Sequence, residues 1–462
     1  MILPFEWDEM GVYVPAAFLM KDTGHIGLLP SCLEPLFSRG HPLLFTFITA
    51  LVFKLFGETV LAGHIYAMSV TVLTVVVFFL FARKEFNPLT AFFASILLMI
   101  QPTFYTMSVI VLPEMMLTLF SILSVWGIVR HRWILYAVSS SLAIMTKESA
   151  IVIPAVAMLV LFIEALSKRE LFSLKSIKLF SLSLVPLLVF GLFLIVQKIQ
   201  NGWYLFPEHI GYIHFTWDTI YPIGQRILNE MFINFGKWPT GVSFLAGIVL
   251  CIFRKQLKIP LNANAIMVFS LFVLFVFLFA VFNYYLTRYI LYGIPFIILG
   301  GVHTFFKVTE RIVPRFRFMG PVLVTALAAF FGVIKGYPDM YRFPFGDMSY
   351  TSTIKITKDA ISWAEKQPWR NDTIEANFPV YQALKDKRNG YLSGDPLPVS
   401  GNFQKKTRYG LIFYTWEPDN IPNWKNYKYT ILKTWSEGFV NIAWVEYEHD
   451  STPSAVNGSS VR

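Results

Sequence analysis

The first two-thirds of the chain consists of long apolar runs separated by short polar segments. A helix needs about 20 apolar residues to cross the hydrocarbon core of a bilayer. Ten runs are candidates for such helices, although three of them have only about 14 residues. Their predicted bounds are residues 61–82, 88–101, 113–129, 133–146, 149–166, 179–197, 241–253, 264–285, 289–306 and 318–336. The pattern predicts an all-α polytopic membrane protein.

The apolar run at residues 42–57 has a different character. It is short, ends in Lys54 and Gly57, and comes directly before a long predicted span. We interpret it as an interfacial helix lying along the membrane. A helix buried in the bundle is the alternative.

The pattern changes after about Pro338, where apolar runs shorten and Asp, Lys, Asn and Trp become more frequent. Residues 353–367 have apolar side chains at helical spacing, and residues 372–392 are typical of a strand, a short helix and a turn. Residues 427–448 predict a β-hairpin that turns at 436–438. The predicted domains are a membrane domain over 1–337, whose first outer loop is 1–60, a small α/β domain over 338–452 and a disordered tail over 453–462.

Composition supports a membrane protein, since 55% of the 462 residues are hydrophobic and only 15% are charged. A soluble domain has about 25% charged residues. We attribute the net charge of +10 to basic loops on one membrane face rather than to nucleic-acid binding. Cys32 and Cys251 are too few for a disulfide framework.

Basic residues fall on every second loop between the predicted spans. They are Arg83, Lys84, Arg130, Arg132, Lys168, Arg169, Lys175, Lys178, Arg254, Lys255, Lys258, Lys307, Arg311, Arg315 and Arg317. The positive-inside rule makes that face cytoplasmic. The first 42 residues and the C-terminal domain then lie on the extracytoplasmic face of the cell membrane.

Charged side chains beside apolar spans cluster on this predicted outer face. They are Asp8, Glu9, Glu114, Lys147, Glu148 and Arg288. Charges in such positions are costly and usually face a cavity or serve a function. Plain structural explanations remain open for each: surface acids at the chain start, a helix N-terminal acid, a salt bridge or a snorkelling arginine.

These residue types suit group transfer from a donor that carries a phosphate. A carboxylate can act as general base toward an acceptor hydroxyl or amine. Nearby cations can stabilise a phosphate as its charge develops. Aromatic side chains in the segment 198–240 could stack on sugar rings, although an aromatic belt at the membrane interface explains them equally well.

The sequence contains no Gly-rich nucleotide loop, no CxxC, no HExxH and no histidine pair at helical i, i+4 spacing. We therefore predict no cofactor, and a divalent metal ion is left open.

Five ordered segments resemble the membrane glycosyltransferases of the GT-C fold, and especially the bacterial branch of the dolichyl-phosphate-mannose protein mannosyltransferase family, which includes the aminoarabinose transferases of lipid A. The segments are "WDEMGVY", "SRGHPLLFTFITALVFKLFGETVLAGHIYAMSV", "VLPEMMLTLF", "AIMTKESA" and "YLTRYILYGIP". The resemblance covers roughly residues 5–300 and is most specific from Gly40 to Val70.

The resemblance implies a polyprenyl-phosphate sugar as donor, a lipid, glycan or protein of the cell envelope as acceptor, and transfer with inversion on the outer face. It implies catalytic roles for Asp8 as general base, for its neighbour Glu9 and for Glu114 near the acceptor. His41 falls where some members place a lysine that contacts the donor phosphate. The phosphate-binding candidates are His41, Arg39, Lys147 and Arg288.

Two departures qualify this resemblance. Pro42 is followed by Leu43, where the family usually has a second proline. The family also has a span before the acidic pair, so we expect that the start codon is misassigned. The alternatives are a multi-pass transporter and a catalytically inactive protein that binds lipid during assembly. A transporter should show two halves with related hydropathy, and we see no such repeat.

Overall fold

The computed structural model describes most of the chain. The described residues are 3–170, 173–213, 215–253, 259–316, 318–331, 350–401, 407–415, 429–438 and 440–448. The predicted domain boundary near Pro338, the predicted tail 453–462 and the end of the last predicted span lie outside these residues. The division into domains therefore stays a prediction.

Helices occupy most of the first 331 residues. They are α1 Val14–Asp22, α2 Pro35–Ser38, α3 Leu44–Phe56, α4 Val60–Glu85, α5 Pro88–Met99, α6 Pro102–Met107, α7 Pro113–Val129, α8 Trp133–Thr146, α9 Val152–Lys168, α10 Leu174–Asn201, α11 Pro207–Ile210, α12 Trp217–Phe232, α13 Trp238–Ile252, α14 Ala263–Val281, α15 Ile294–Ile312 and α16 Met319–Ala329. A helix lies at each of the ten predicted spans and at the predicted interfacial segment. The predicted all-α membrane fold is thus confirmed.

Within the described residues, five helical stretches are long and apolar enough to cross a membrane. They are Val60–Glu85, Glu148–Lys168, Leu174–Asn201, Ala263–Val281 and Thr287–Ile312. Six shorter apolar helices accompany them, among them α3. The protein is therefore a multi-pass membrane protein. The orientation of α3 along the membrane stays a prediction, although Leu55 and Phe56 at its end are exposed.

Helix boundaries follow from local chemistry. The hydroxyl of Thr59 accepts a hydrogen bond from the Ala62 amide and caps α4, and the side chain of Asn87 caps α5 in the same way. Proline opens α5, α6 and α7, where its missing N–H group is not needed.

Glycines allow the helices of the bundle to approach closely. A Cβ atom on Gly127 of α7 would lie 2.7 Å from the backbone nitrogen of Tyr136 on α8. A Cβ atom on Gly301 of α15 would overlap the carbonyl oxygen of Thr240 on α13. Small residues at helix interfaces are typical of membrane bundles, because backbone packing replaces the hydrophobic effect there.

The described residues of the C-terminal α/β region, between 350 and 448, form two α-helices and one sheet. The helices are α17 Tyr350–Ala364 and α18 Val380–Lys385, and the strands are β1 Ile374–Ala376, β2 Val399–Ser400, β3 Tyr409–Thr415, β4 Tyr429–Glu437 and β5 Val440–Tyr447. The sheet order is β2-β1-β3-β5-β4, with β1 parallel to both neighbours and β5 antiparallel to β3 and β4. The predicted helix, the strand–helix–turn unit and the hairpin are all confirmed.

The described residues form two large hydrophobic cores and a small third one around Ile412, Ala443 and Val445 on the sheet. One lies inside the helix bundle. The other joins the N-terminal segment to the C-terminal α/β region, because Phe5 and Met10 belong to the same buried cluster as Ile374 and Leu411. The segment around Phe5 and Met10 is therefore packed between the bundle and the sheet.

Candidate active site

Arg288 is the centre of a charged cluster at one end of the bundle. It lies in the 3-10 turn Thr287–Gly293 before α15 and is 2% exposed. Its guanidinium donates one hydrogen bond to the Asp8 carboxylate and another, of 3.2 Å, from Nε to Glu114 Oε1. Two predicted catalytic acids and one predicted phosphate ligand thus meet, although Asp8 and Arg288 are 280 positions apart.

Glu114 lies at the start of α7, directly after Pro113, and is buried. The Nζ atom of Lys147 donates a 2.8 Å hydrogen bond to Glu114 Oε1, and it lies 3.9 Å from the ring centroid of Tyr289. Glu114 Oε2 is buried and has no hydrogen-bond partner among the described residues. Two acidic and two basic side chains thus form one group, hereafter the ion cluster: Asp8, Glu114, Lys147 and Arg288.

The backbone on both sides of Asp8 is tightly held. Trp7 has a φ angle of 43°, a left-handed conformation that a bulky residue rarely adopts without support. Glu9 is buried, and its carboxylate accepts hydrogen bonds from the amides of Glu6 at 2.8 Å and Val111 at 2.7 Å. Its Oε1 atom also lies 3.6 Å from Nε2 of His64. Glu9 therefore ties the acidic segment to the loop before α7, and its catalytic assignment stays a prediction.

A second limb of the site contains His41 and the side chains around it. Nδ1 of His41 lies 3.0 Å from Oε2 of Glu148, the residue that follows Lys147 in the chain. The imidazole stacks on Tyr13, with ring centroids 6.3 Å apart, and contacts His209, with centroids 4.8 Å apart. Arg39 is exposed at the end of α2. His41 and Arg39 thus lie beside the ion cluster rather than within it.

His209 was not predicted from the sequence. Burial lowers its pKa to about 4, and the neighbouring His41 acts in the same direction. The ring is therefore neutral near pH 7. His209 belongs to the segment that covers Gly40, since a Cβ atom there would lie 3.0 Å from Trp203 and from Phe206. The cluster of aromatic residues in this loop was the signal available in the sequence.

A third polar group, also missed, borders Arg288. Glu230 on α12 is buried and accepts hydrogen bonds from Arg226 at 2.8 Å and from the Tyr285 hydroxyl at 2.5 Å. Arg226 also lies 3.4 Å from the hydroxyl of Thr287. The i, i+4 spacing of Arg226 and Glu230 was visible in the sequence, but the helix that carries them was not predicted.

No group of three His, Cys, Asp or Glu side chains within the described part of the chain has the spacing to hold a metal ion. The charges of the ion cluster are instead compensated by one another. Such an arrangement can orient a partly accessible carboxylate and present cations to an anionic group.

Residues 40–195 match the family described as dolichyl-phosphate-mannose-protein mannosyltransferase. A comparison with curated proteins gives no match.

Among solved structures, ArnT from Cupriavidus metallidurans bound to undecaprenyl phosphate is 14% identical, with a TM-score of 0.53 over 98% of this chain and 96% of that chain. Its apo form is also 14% identical, with a TM-score of 0.54 over 96% of this chain and 94% of that chain.

The archaeal oligosaccharyltransferase AglB from Archaeoglobus fulgidus, in complex with an inhibitory peptide and a dolichol-phosphate, is 10% identical. Its TM-score is 0.50, and the match covers 86% of this chain and 61% of that chain. At these identities the likeness shows the fold. The chain has the GT-C fold of the membrane glycosyltransferases and resembles the dolichyl-phosphate-mannose-protein mannosyltransferases over residues 40–195, as its sequence motifs predicted.

Proposed function

We propose that this protein transfers a sugar from a polyprenyl-phosphate donor to a cell-envelope acceptor on the extracytoplasmic face of the cell membrane. The observation that carries the proposal is the ion cluster: a partly accessible carboxylate, Asp8, is hydrogen-bonded to an arginine that also holds a second, buried acid. The acceptor is a glycolipid, a polysaccharide or a protein.

Accessibility favours Asp8 as the general base. Its side chain is 24% exposed, whereas that of Glu114 is 2% exposed. A base must come within hydrogen-bond reach of the acceptor proton. We assign to Glu114 the task of holding Arg288 and Lys147 in place, and to Glu9 the task of fixing the backbone beside Asp8.

The cationic side chains suit the donor phosphate. Arg39 and His41 form the accessible limb of the site, while Lys147 and Arg288 are already positioned by Glu114. Cations fixed before the reaction stabilise a leaving phosphate without reorganising as its charge develops. The lipid phosphates bound in the structures of ArnT and AglB support a donor of the same chemical class.

The reaction that follows is a single displacement. The acceptor oxygen bonds to the anomeric carbon as Asp8 takes the acceptor proton. The bond between the anomeric carbon and the phosphate oxygen breaks, and the lipid phosphate leaves with the electron pair. Attack from the face opposite the leaving group inverts the anomeric configuration, since no covalent sugar–enzyme intermediate intervenes.

A comparison of surface glycolipids, polysaccharides and glycoproteins by mass spectrometry tests this proposal. The strains are a knockout complemented with wild type, with Asp8→Asn or with Asp395→Asn, which makes the same change at an exposed carboxylate. We expect one sugar-sized mass to disappear in the knockout and to return with wild type and Asp395→Asn only. An unchanged surface would refute the transferase and leave transport or lipid binding as the better explanation. Full restoration by Asp8→Asn would refute Asp8 as the general base.

A further inference from the structure

The C-terminal α/β region contacts the segment that carries Asp8 through several independent interactions. The Phe5 amide donates a 3.0 Å hydrogen bond to the carbonyl of Asn389. The hydroxyl of Tyr391 donates a 3.0 Å hydrogen bond to Oε2 of the buried Glu6. These contacts hold the backbone of Phe5 and the side chain of Glu6, three and two residues before Asp8.

Trp7, the residue directly before Asp8, packs on the sheet. Its ring lies edge-on to Phe378 and Phe413, with centroid distances of 5.0 Å and 5.7 Å. The approach continues at Gly11, where a Cβ atom would lie 2.7 Å from the Phe378 ring. The left-handed backbone of Trp7 is therefore supported by aromatic contacts from the other end of the chain.

Trp7 docks at a position where open α/β sheets bind ligands. Strand β1 is parallel to both of its neighbours, β2 and β3. The chain runs from β1 to β2 on one side and from β3 toward β5 and β4 on the other, so the strand order reverses between β1 and β3. Ligands of such sheets bind beyond the carboxyl ends of the strands at this reversal. Phe378 follows β1 and Phe413 lies near the end of β3, so Trp7 occupies that position.

Charged contacts secure the same interface at a second point. Arg388 donates hydrogen bonds to Glu58 at 2.9 Å and to Asp22 at 3.2 Å, and its guanidinium lies 4.2 Å from the ring centroid of Phe18. The interface thus extends from the acidic segment along α1 to the start of α4.

We propose that the C-terminal α/β region positions Asp8 for the reaction. The region binds Trp7 at the carboxyl ends of β1 and β3 and binds Glu6 through Tyr391, so that Asp8 reaches Arg288. The inference rests on the proposed function, because it assigns Tyr391 and Phe378 as positioning residues for the base Asp8. Neither residue contacts the ion cluster; both act through the backbone on which Asp8 is carried. A misplacement of about 1 Å can reduce turnover about 100-fold.

Hydrogen–deuterium exchange and kinetics of the full-length protein in detergent test this inference. The variants are Tyr391→Phe and Phe378→Ala, and the control is Tyr381→Phe, which makes the same hydroxyl deletion on α18. We expect exchange at residues 5–13 to rise in both variants while residues 287–293 keep the wild-type rate. With the donor identified in the surface comparison, we expect kcat to fall about 10- to 100-fold. The donor KM and the Kd for undecaprenyl phosphate should stay within about twofold, because the phosphate limb is untouched.

Each outcome decides between the two proposals. Wild-type exchange at residues 5–13 in both variants would overturn the docking, and increased exchange with unchanged kcat would overturn the positioning role. Parallel losses of kcat and undecaprenyl phosphate binding would show a general structural role instead. Wild-type protein that transfers no sugar would overturn the proposed function, and the positioning role with it. Tyr391→Phe preserves the shape of the side chain, so it decides the matter if Phe378→Ala does not fold.

Discussion

Glu114 and Lys147 form a buried ion pair. The effects of substituting these two residues on the free energy of unfolding should therefore be strongly coupled. Their side chains are 2% and 9% exposed, and the Nζ–Oε1 distance is 2.8 Å. Glu114→Gln leaves the ion cluster with an excess positive charge, and Lys147→Met leaves it with an excess negative charge. The double variant removes one charge of each sign and returns the cluster to neutrality.

The expected magnitudes follow from this burial. Removing one member of a buried pair leaves an uncompensated charge and costs about 3–5 kcal/mol, whereas replacing both members leaves no uncompensated charge, so the two costs do not add. We expect about 3 kcal/mol for each single variant, because Arg288 and Asp8 still offer partial compensation. The double variant should cost about 3 kcal/mol rather than twice that amount, which gives a coupling energy near 3 kcal/mol.

Equilibrium unfolding in mixed micelles with increasing SDS, followed by circular dichroism, measures these free energies. The exposed pair Lys355–Glu437 has a similar distance, 2.7 Å, and serves as the control cycle. We expect little coupling there, because solvent screens exposed ion pairs. Additive costs for Glu114→Gln and Lys147→Met would refute the view that this pair compensates its own charge within the cluster.

Two further predictions concern packing and pH. Burial raises the pKa of Glu6 from 4.5 to about 8, so between these pH values the folded protein keeps a proton that the unfolded chain releases. The free energy of unfolding should therefore fall as pH rises from about 4.5 to about 8. Glu6→Gln should flatten this pH dependence, as measured by unfolding titrations. Gly301→Ala should lower the free energy of unfolding by about 1–3 kcal/mol, because its Cβ would overlap the carbonyl oxygen of Thr240. The control is Gly191→Ala, whose Cβ would meet nothing within 4 Å, and this variant should be neutral or stabilising.

The outcomes that would contradict these predictions are equally direct. An identical pH dependence of unfolding in wild type and Glu6→Gln would show that Glu6 does not hold the proton. Equal stability of the two alanine variants would show that the α13–α15 contact yields easily to an added methyl group.

The sequence by itself determined most of the membrane helices and indicated which charged residues lie at their ends. Apolar runs of bilayer length and their flanking charges located every predicted span. A lipid-exposed segment must form its backbone hydrogen bonds internally, and a helix does so. The cost of a charge beside an apolar span also identified Asp8, Glu114, Lys147 and Arg288 before any contact was known. Helix α12 was missed, because Pro222 and its mixed polarity concealed it.

Only the tertiary structure decided which charges meet and which way each side chain points. Periodicity reports the faces of single elements, whereas Asp8 contacts Arg288 across 280 positions and Tyr391 contacts Glu6 across 385. The sequence grouped Glu9 with Asp8 as a catalytic pair, but folding turned the Glu9 carboxylate toward two backbone amides and left the Asp8 carboxylate beside Arg288. Two residues that are adjacent in the chain lie close together, but their side chains can point in different directions. The direction of each side chain is fixed by packing between segments that are distant in the sequence.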